Sequence, residues 1–162
     1  MLATLSLRAL CAADRNGILR LLESAGNFSA AEIAVGMELV DHALARPGQA
    51  DYRFVVAEDG SGIAGYACWG LASLSDGTWD LYWIAVSPDR QGRGFGRQIT
   101  EHCEADVRRE GGRCLLIETS SRAGYEGTLA FYRSLGYEVL ARLKDYYTTG
   151  DDKVILGKYF PR

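Results

Sequence analysis

Apolar and polar residues change period several times along this chain, and each change marks an element. Thr4 to Leu10 alternates with period two, the pattern of an edge strand. Ala13-Asp14 then places a capping carboxylate before a helix that runs to about Ala25. Asn27-Phe28-Ser29 turns, and Ser29 followed by Glu32 forms a capping box that opens a second helix to about Ala45, closed by Arg46-Pro47-Gly48. Tyr52 to Ala57 and Ile63 to Gly70 read as strands joined by Glu58-Asp59-Gly60-Ser61-Gly62, a hairpin turn by its Asp-Gly. Ser75-Asp76-Gly77 turns the chain into a strand from Trp79 to Val86, and a long helix from about Gly94 to Glu110 stops at Gly111-Gly112. A strand at Cys114 to Thr119, a short helix around Ala130 to Leu135 and two final strands complete the pattern. With no repeat, low-complexity tract or dividing linker, residues 1–162 read as one mixed α/β domain.

Charge and cysteine usage exclude several classes of function. A net charge of -3 and a pI near 5.4 give no general attraction to nucleic acid or to an anionic membrane. The start, Met1-Leu2-Ala3-Thr4-Leu5-Ser6-Leu7-Arg8, lacks a basic leader, a continuous apolar run and a cleavage site, and no segment approaches membrane-spanning length. Four cysteines, Cys11, Cys68, Cys103 and Cys114, stand singly in apolar periodic segments and read as reduced core residues of a cytoplasmic protein. His102-Cys103-Glu104 begins like a zinc deaminase signature, but no Pro-Cys with a second Cys follows, so His102 reads as the flank of a buried stripe. No metal is expected.

The stretch Val86-Ser87-Pro88-Asp89-Arg90-Gln91-Gly92-Arg93-Gly94-Phe95-Gly96-Arg97 joins an apolar strand to a helix and carries three alternating glycines. Glycines keep side chains away from successive N–H groups, and a helix's first turn adds a positive dipole end, so the stretch is built for a phosphate. Arg90, Arg93 and Arg97 crowd a helix start, where cations are normally unfavourable, and an anionic ligand between them would resolve the mismatch. A dinucleotide fingerprint would need Gly where Ile99 stands, and no Walker Gly-Lys-Ser/Thr occurs.

Gln91, two residues, Gly94, one residue and Gly96 resembles the acetyl-CoA pyrophosphate loop of the GNAT superfamily of N-acetyltransferases. Its surroundings agree in order. Leu81 to Val86 is similar to the family's fourth strand, Cys114 to Thr119 to its fifth, Phe131-Tyr132 followed by Gly136-Tyr137 to its short helix and turn, and Asp145-Tyr146-Tyr147 with Gly150 to Leu156 to its closing loop and last strand. The resemblance implies a GNAT acyl-CoA N-acyltransferase fold, a twisted mixed sheet of about seven strands flanked by helices. It implies acetyl-CoA as co-substrate and a primary amine as acceptor, either a protein N-terminus, as in the ribosomal-protein alanine acetyltransferases, or a small molecule. It leaves room for a homodimer. A non-catalytic acyl-CoA sensor on the same fold is the rival reading.

Acetyl transfer to an amine needs a base for the ammonium proton and an acid for the departing thiolate. Glu118, ending an apolar strand where desolvation would raise its pKa, is the candidate base, against the alternative of pairing with Arg122. Tyr132 matches the family's usual acid; without that context it is a packed aromatic. The resemblance assigns the pyrophosphate to Gln91, Gly92, Arg93, Gly94, Phe95, Gly96 and Arg97. It assigns the pantetheine arm to the backbone of Ile84, Ala85 and Val86, through groups left unpaired where two strands splay. Tyr125 falls near the position where many relatives carry a cofactor-contacting Asn, a departure. Asp80, Tyr82, Tyr146 and Tyr147 would border the acceptor, their carboxylate and aromatic faces suiting a cationic amine.

Overall fold

A computed structural model describes residues 4–161, so the first three residues of the N-terminal segment lie outside it. Seven strands and four helices alternate: β1 (Ser6–Arg8), α1 (Arg15–Ala25), α2 (Ala30–Ala45), β2 (Arg53–Asp59), β3 (Gly62–Leu71), β4 (Thr78–Val86), α3 (Phe95–Arg109), β5 (Cys114–Ser120), α4 (Tyr125–Ser134), β6 (Glu138–Thr148) and β7 (Asp151–Tyr159). The sheet has the order β1-β2-β3-β4-β5-β7-β6. Its one parallel pair given by register is β4 with β5; β1–β2, β2–β3, β5–β7 and β6–β7 are antiparallel, so the mixed sheet expected from the alternation is present.

The chain divides into two compact units, residues 1–70 with 83–104, and residues 71–82 with 105–162. In the first, the apolar faces of α1 (Ile18, Leu21, Leu22) and α2 (Met37, Val40) pack with Val56, Tyr66 and Ala85. Two strands and a helix meet closely at Gly65, where a Cβ would stand 2.7 Å from the Ala85 carbonyl oxygen and 2.9 Å from Ile99 Cδ1. The capping box is formed as the sequence predicts: Glu32 N–H donates to Ser29 Oγ (3.2 Å), and Ser29 N–H donates to Glu32 Oε2 (2.6 Å). Asp14 does not cap α1 through its side chain. Its carboxylate is buried and accepts instead from Arg8 Nη1 (2.8 Å), Arg8 Nη2 (2.7 Å) and Cys11 N–H (2.8 Å). A charge-assisted fork outcompetes a single amide for a desolvated carboxylate. Cys11 also departs from the sequence expectation, being exposed while Cys68, Cys103 and Cys114 are buried; all four are free thiols. It precedes a 3₁₀ turn at Ala12–Asp14.

In the second unit, Trp79, Val107, Leu115, Ile117, Leu129, Tyr132, Leu135, Tyr137, Val154 and Leu156 are buried. Gly112 closes α3 because a Cβ there would run into Val107 and Trp79. Helix α4 starts five residues before the predicted short helix, with Gly124 as a left-handed N-cap (φ 91°). Leu129 and Tyr132 are the buried residues of this helix. The predicted closing loop also moves: Tyr146 and Tyr147 lie on β6, which continues to Thr148. Asp145 (φ 51°) makes the irregularity in that strand, and its carboxylate accepts from Gly150 N–H at 2.7 Å.

Candidate active site

The glycine stretch is built as two left-handed residues leading into a helix. Gly92 (φ 75°) and Gly94 (φ 79°) take conformations that L side chains resist, with open space where a Cβ would go. Gly96 lies inside the first turn of α3, its carbonyl accepting from Thr100 Oγ1 at 2.8 Å. Phe95, 2% exposed, anchors the helix start in the core. The turn is fixed by Gln91 Nε2 donating to the Val86 carbonyl (3.4 Å) and Arg93 Nη2 donating to the Asp89 carbonyl (3.3 Å). Helix geometry leaves the first-turn N–H groups without an i−4 acceptor, so an anion-binding end is present in outline.

The three arginines have different partners. Arg90 is spent on Asp59, Nε to Oδ2 at 2.7 Å and Nη2 to Oδ1 at 3.1 Å, which holds the Asp59 carboxyl below its ordinary range. It clamps the β2–β3 hairpin to the loop. Arg97 reaches Glu101 at 3.4 Å along α3, a solvent-exposed i,i+4 pair. Arg93 is exposed and carries its guanidinium beside the loop backbone.

The remaining candidates lie in the second unit, except Ile84, Ala85 and Val86. The β4–β5 rungs pair Thr78–Leu81 with Cys114–Ile117, and those three residues follow along β4. Glu118 comes one residue after the last rung on β5. Its side chain is 50% exposed and accepts from Lys153 Nζ at 2.8 Å, a partner that is neither Arg122 nor visible from the sequence. Burial pushes the Asp80 carboxyl above its ordinary value, the Glu118 charge adds to the rise, and Lys153 opposes it. Lys153 itself lies above the usual lysine value: burial works to lower it, and the hydrogen bond and charge of Glu118 outweigh that.

Lys153 Nζ also sits 4.4 Å from the centroid of the Tyr146 ring, and Tyr146 and Tyr147 meet edge to face at 5.0 Å. Burial raises the Tyr147 phenol, with Lys153 pulling it down and Glu118 pushing it up. Asp80, Glu118, Tyr146, Tyr147 and Lys153 therefore form one electrostatic cluster. Lys153 was the member that sequence reasoning missed. Glu118 pairs with Ile155 and Ser120 with Lys153, so Glu118 and Lys153 are diagonal neighbours on one sheet face, a relation legible only once the β5–β7 register is known. Tyr82 is exposed on β4. Tyr132 is 5% exposed on α4, its ring edge to face with Phe131 and Tyr137 at 4.9 and 5.5 Å. Tyr125 opens α4, and its ring receives the Arg142 guanidinium at 5.8 Å. Among the described residues no group of three or more His, Cys, Asp or Glu side chains could hold a metal, and no helix is long and apolar enough to cross a membrane.

A sequence profile of the acetyltransferase (GNAT) domain matches residues 50–139, more than half of the chain and the whole glycine turn. The chain belongs to the GNAT acetyltransferase family. A GNAT-family structure from Desulfovibrio desulfuricans is 40% identical and superposes with a TM-score of 0.92 over 96% of this chain and 99% of its own. The [ribosomal protein bS18]-alanine N-acetyltransferase of Escherichia coli K12 is 36% identical over 73 residues, 45% of this chain and 48% of the relative, so the chain spans about half the length of the curated relatives it matches. A Salmonella typhimurium structure solved with acetyl-CoA as its cofactor shares the GNAT fold with a TM-score of 0.76 at 18% identity, over 99% of this chain and 96% of its own. The seven-stranded mixed sheet with four helices is the GNAT architecture.

Proposed function

We propose that this GNAT chain transfers an acetyl group from acetyl-CoA directly to a primary amine. The observation that carries the reading is the glycine turn, in which left-handed Gly92 and Gly94 deliver the chain to the first turn of α3 without a side chain in the way. That turn fits a pyrophosphate: the helix's first-turn N–H groups lack i−4 acceptors, the dipole end is positive, and Arg93 and Arg97 are exposed nearby. The backbone of Ile84, Ala85 and Val86 would hold the pantetheine arm by strand-like hydrogen bonds. Gln91 holds the turn closed from its strand side. Acetyl-CoA supplies the activated thioester.

The acid–base candidates Asp80, Glu118 and Tyr132 all belong to the second unit. Glu118 is half-exposed and hydrogen-bonded to one ammonium already, the property required of a group that receives an acceptor's ammonium and takes its proton. Asp80, held less acidic by burial, is the second carboxylate and lowers the cost of storing that proton nearby. Tyr132 is the proton donor to the leaving thiolate, its ring fixed between Phe131 and Tyr137. Tyr82, Tyr146 and Tyr147 offer aromatic faces to a cation, and Tyr125 lies near the position where many relatives carry an Asn. The acceptor is a protein N-terminus or a small amine; the partial match to the bS18 alanine acetyltransferases supports including an alanine-initiated peptide among the substrates tried. Buried free thiols at Cys68, Cys103 and Cys114 suit residence in the cytoplasm.

The test is release of free thiol from acetyl-CoA in the presence of alanine-initiated peptides, polyamines, amino acids and aminoglycosides. Amine-dependent release supports the reading. Tight acetyl-CoA binding with no release for any amine would make the protein an acyl-CoA sensor instead.

A further inference from the structure

Lysine is scarce here, with only Lys144, Lys153 and Lys158 among 18 basic residues, yet one of the three is engaged at the candidate base. Its ammonium donates to Glu118 Oε2 at 2.8 Å, lies 4.4 Å from the Tyr146 ring centroid, and the side chain is only 14% exposed. Carboxylate on one side and aromatic face on the other is the pair of contacts that recognises a substrate ammonium. Asp80 and Tyr147 interact electrostatically with the same ammonium. All five residues belong to one compact unit. Lys153 reaches the place from β7, one strand away from Glu118, by a long flexible arm that can swing out without disturbing the β5–β7 ladder.

We infer that Lys153 is an internal occupant of the acceptor's ammonium subsite, and that a substrate amine binds by displacing it from Glu118 and the Tyr146 ring. The inference rests on the acetyltransferase reading of Glu118. Two consequences follow from the geometry. The base keeps an ammonium partner until an acceptor replaces it, so Glu118 is held aimed between substrates. The acceptor must compete with a tethered ligand, which weakens its apparent affinity by the fraction of molecules in which the subsite is vacated. The ligand class is a primary ammonium, whatever the remainder of the molecule.

Two measurements test this. In steady-state kinetics with an amine found by the thiol-release screen, Lys153→Met removes the competitor and its charge. It should lower KM for the amine by about 3-fold to 10-fold, as expected for losing an ion pair of modest strength. Lys153→Arg, which restores a tethered cation, should bring the amine KM back towards wild type. An unchanged or raised amine KM in Lys153→Met, or a fall in kcat alone, would overturn the inference by making Lys153 a support for Glu118 or a simple ion pair.

The second measurement needs no turnover. Acetylation of the wild-type protein by a water-soluble succinimidyl acetate, followed residue by residue by mass spectrometry, should modify exposed Lys144 faster than Lys153. N,N-dimethylpropylamine, whose tertiary ammonium can enter the subsite but forms no stable amide, should speed Lys153 modification several-fold while leaving Lys144 unchanged. Glu118→Gln should speed it without the amine. A Lys153 rate indifferent to both would refute displacement even if acetyl transfer is real. If no amine supports turnover but Lys153 is unmasked by the tertiary amine, the acetyltransferase reading fails and the ammonium subsite stands.

Discussion

Glu118→Gln keeps the size of the side chain and removes its ability to take a proton, so kcat should fall by roughly 10²-fold and the acidic limb of the pH–rate profile should vanish, with acetyl-CoA affinity unchanged. Retention of both rate and limb would pass the role of base to Asp80, whose carboxyl is already held less acidic by burial. Tyr132→Phe preserves the edge-to-face contacts with Phe131 and Tyr137 and deletes only the phenol hydroxyl. A kcat lowered by about 10²-fold with little loss of thermal stability is expected, whereas a rate within about twofold of wild type would leave Tyr132 as packing. Asp14 concerns folding. Hydrogen bonds from Arg8 hold its carboxyl at about 2, burial opposing, so its stabilising contribution is present above the ordinary carboxylate range and is lost as pH falls through about 2. Asp14→Asn should cost on the order of 2 kcal/mol in denaturant unfolding at neutral pH, a gap that narrows as the buffer approaches about pH 2. A gap independent of pH would show that shape, not charge, matters there.

At the level of elements, the glycine turn separates two requirements that sequence treats as one. Gly94 has a left-handed φ of 79°, while Gly96 is an ordinary helical residue in α3. Gly94→Ala should therefore destabilise the fold by about 1–2 kcal/mol and also weaken acetyl-CoA binding. Gly96→Ala should keep or gain up to about 1 kcal/mol of stability through helix propensity, yet lose cofactor affinity because a Cβ intrudes on the backbone that faces the phosphates. Thermal melts paired with calorimetry read both quantities, and undiminished affinity in Gly96→Ala would remove that first turn from the site. Elements whose own residues decide them were legible: the capping box at Ser29 and Glu32, the Asp59-Gly60 turn and the Gly111-Gly112 stop all stand where the pattern puts them. Elements decided from elsewhere were not. The early start of α4 at Tyr125 is one such case, its buried side being Leu129 and Tyr132. Tyr146 and Tyr147 look like a rim loop, and strand pairing with β7 carries β6 through them past the irregularity at Asp145. Lys153 and Asp59 became visible only through pairing across the sheet or the hairpin.

For the molecule as a whole, family membership and the glycine turn make acyl-CoA binding the part of the account that residues state most directly, and transfer to an amine the part that must be shown. The rivals differ in one observable, a new amide bond on an acceptor. The decisive measurement is mass spectrometry of the acceptor pool after incubation with acetyl-CoA carrying an isotopically labelled acetyl group, wild-type protein beside Glu118→Gln. The account predicts labelled acetyl on at least one primary amine, at a rate about 10²-fold lower with the variant although both bind the cofactor equally. Saturable acetyl-CoA binding with no labelled amine above the protein-free background would contradict it.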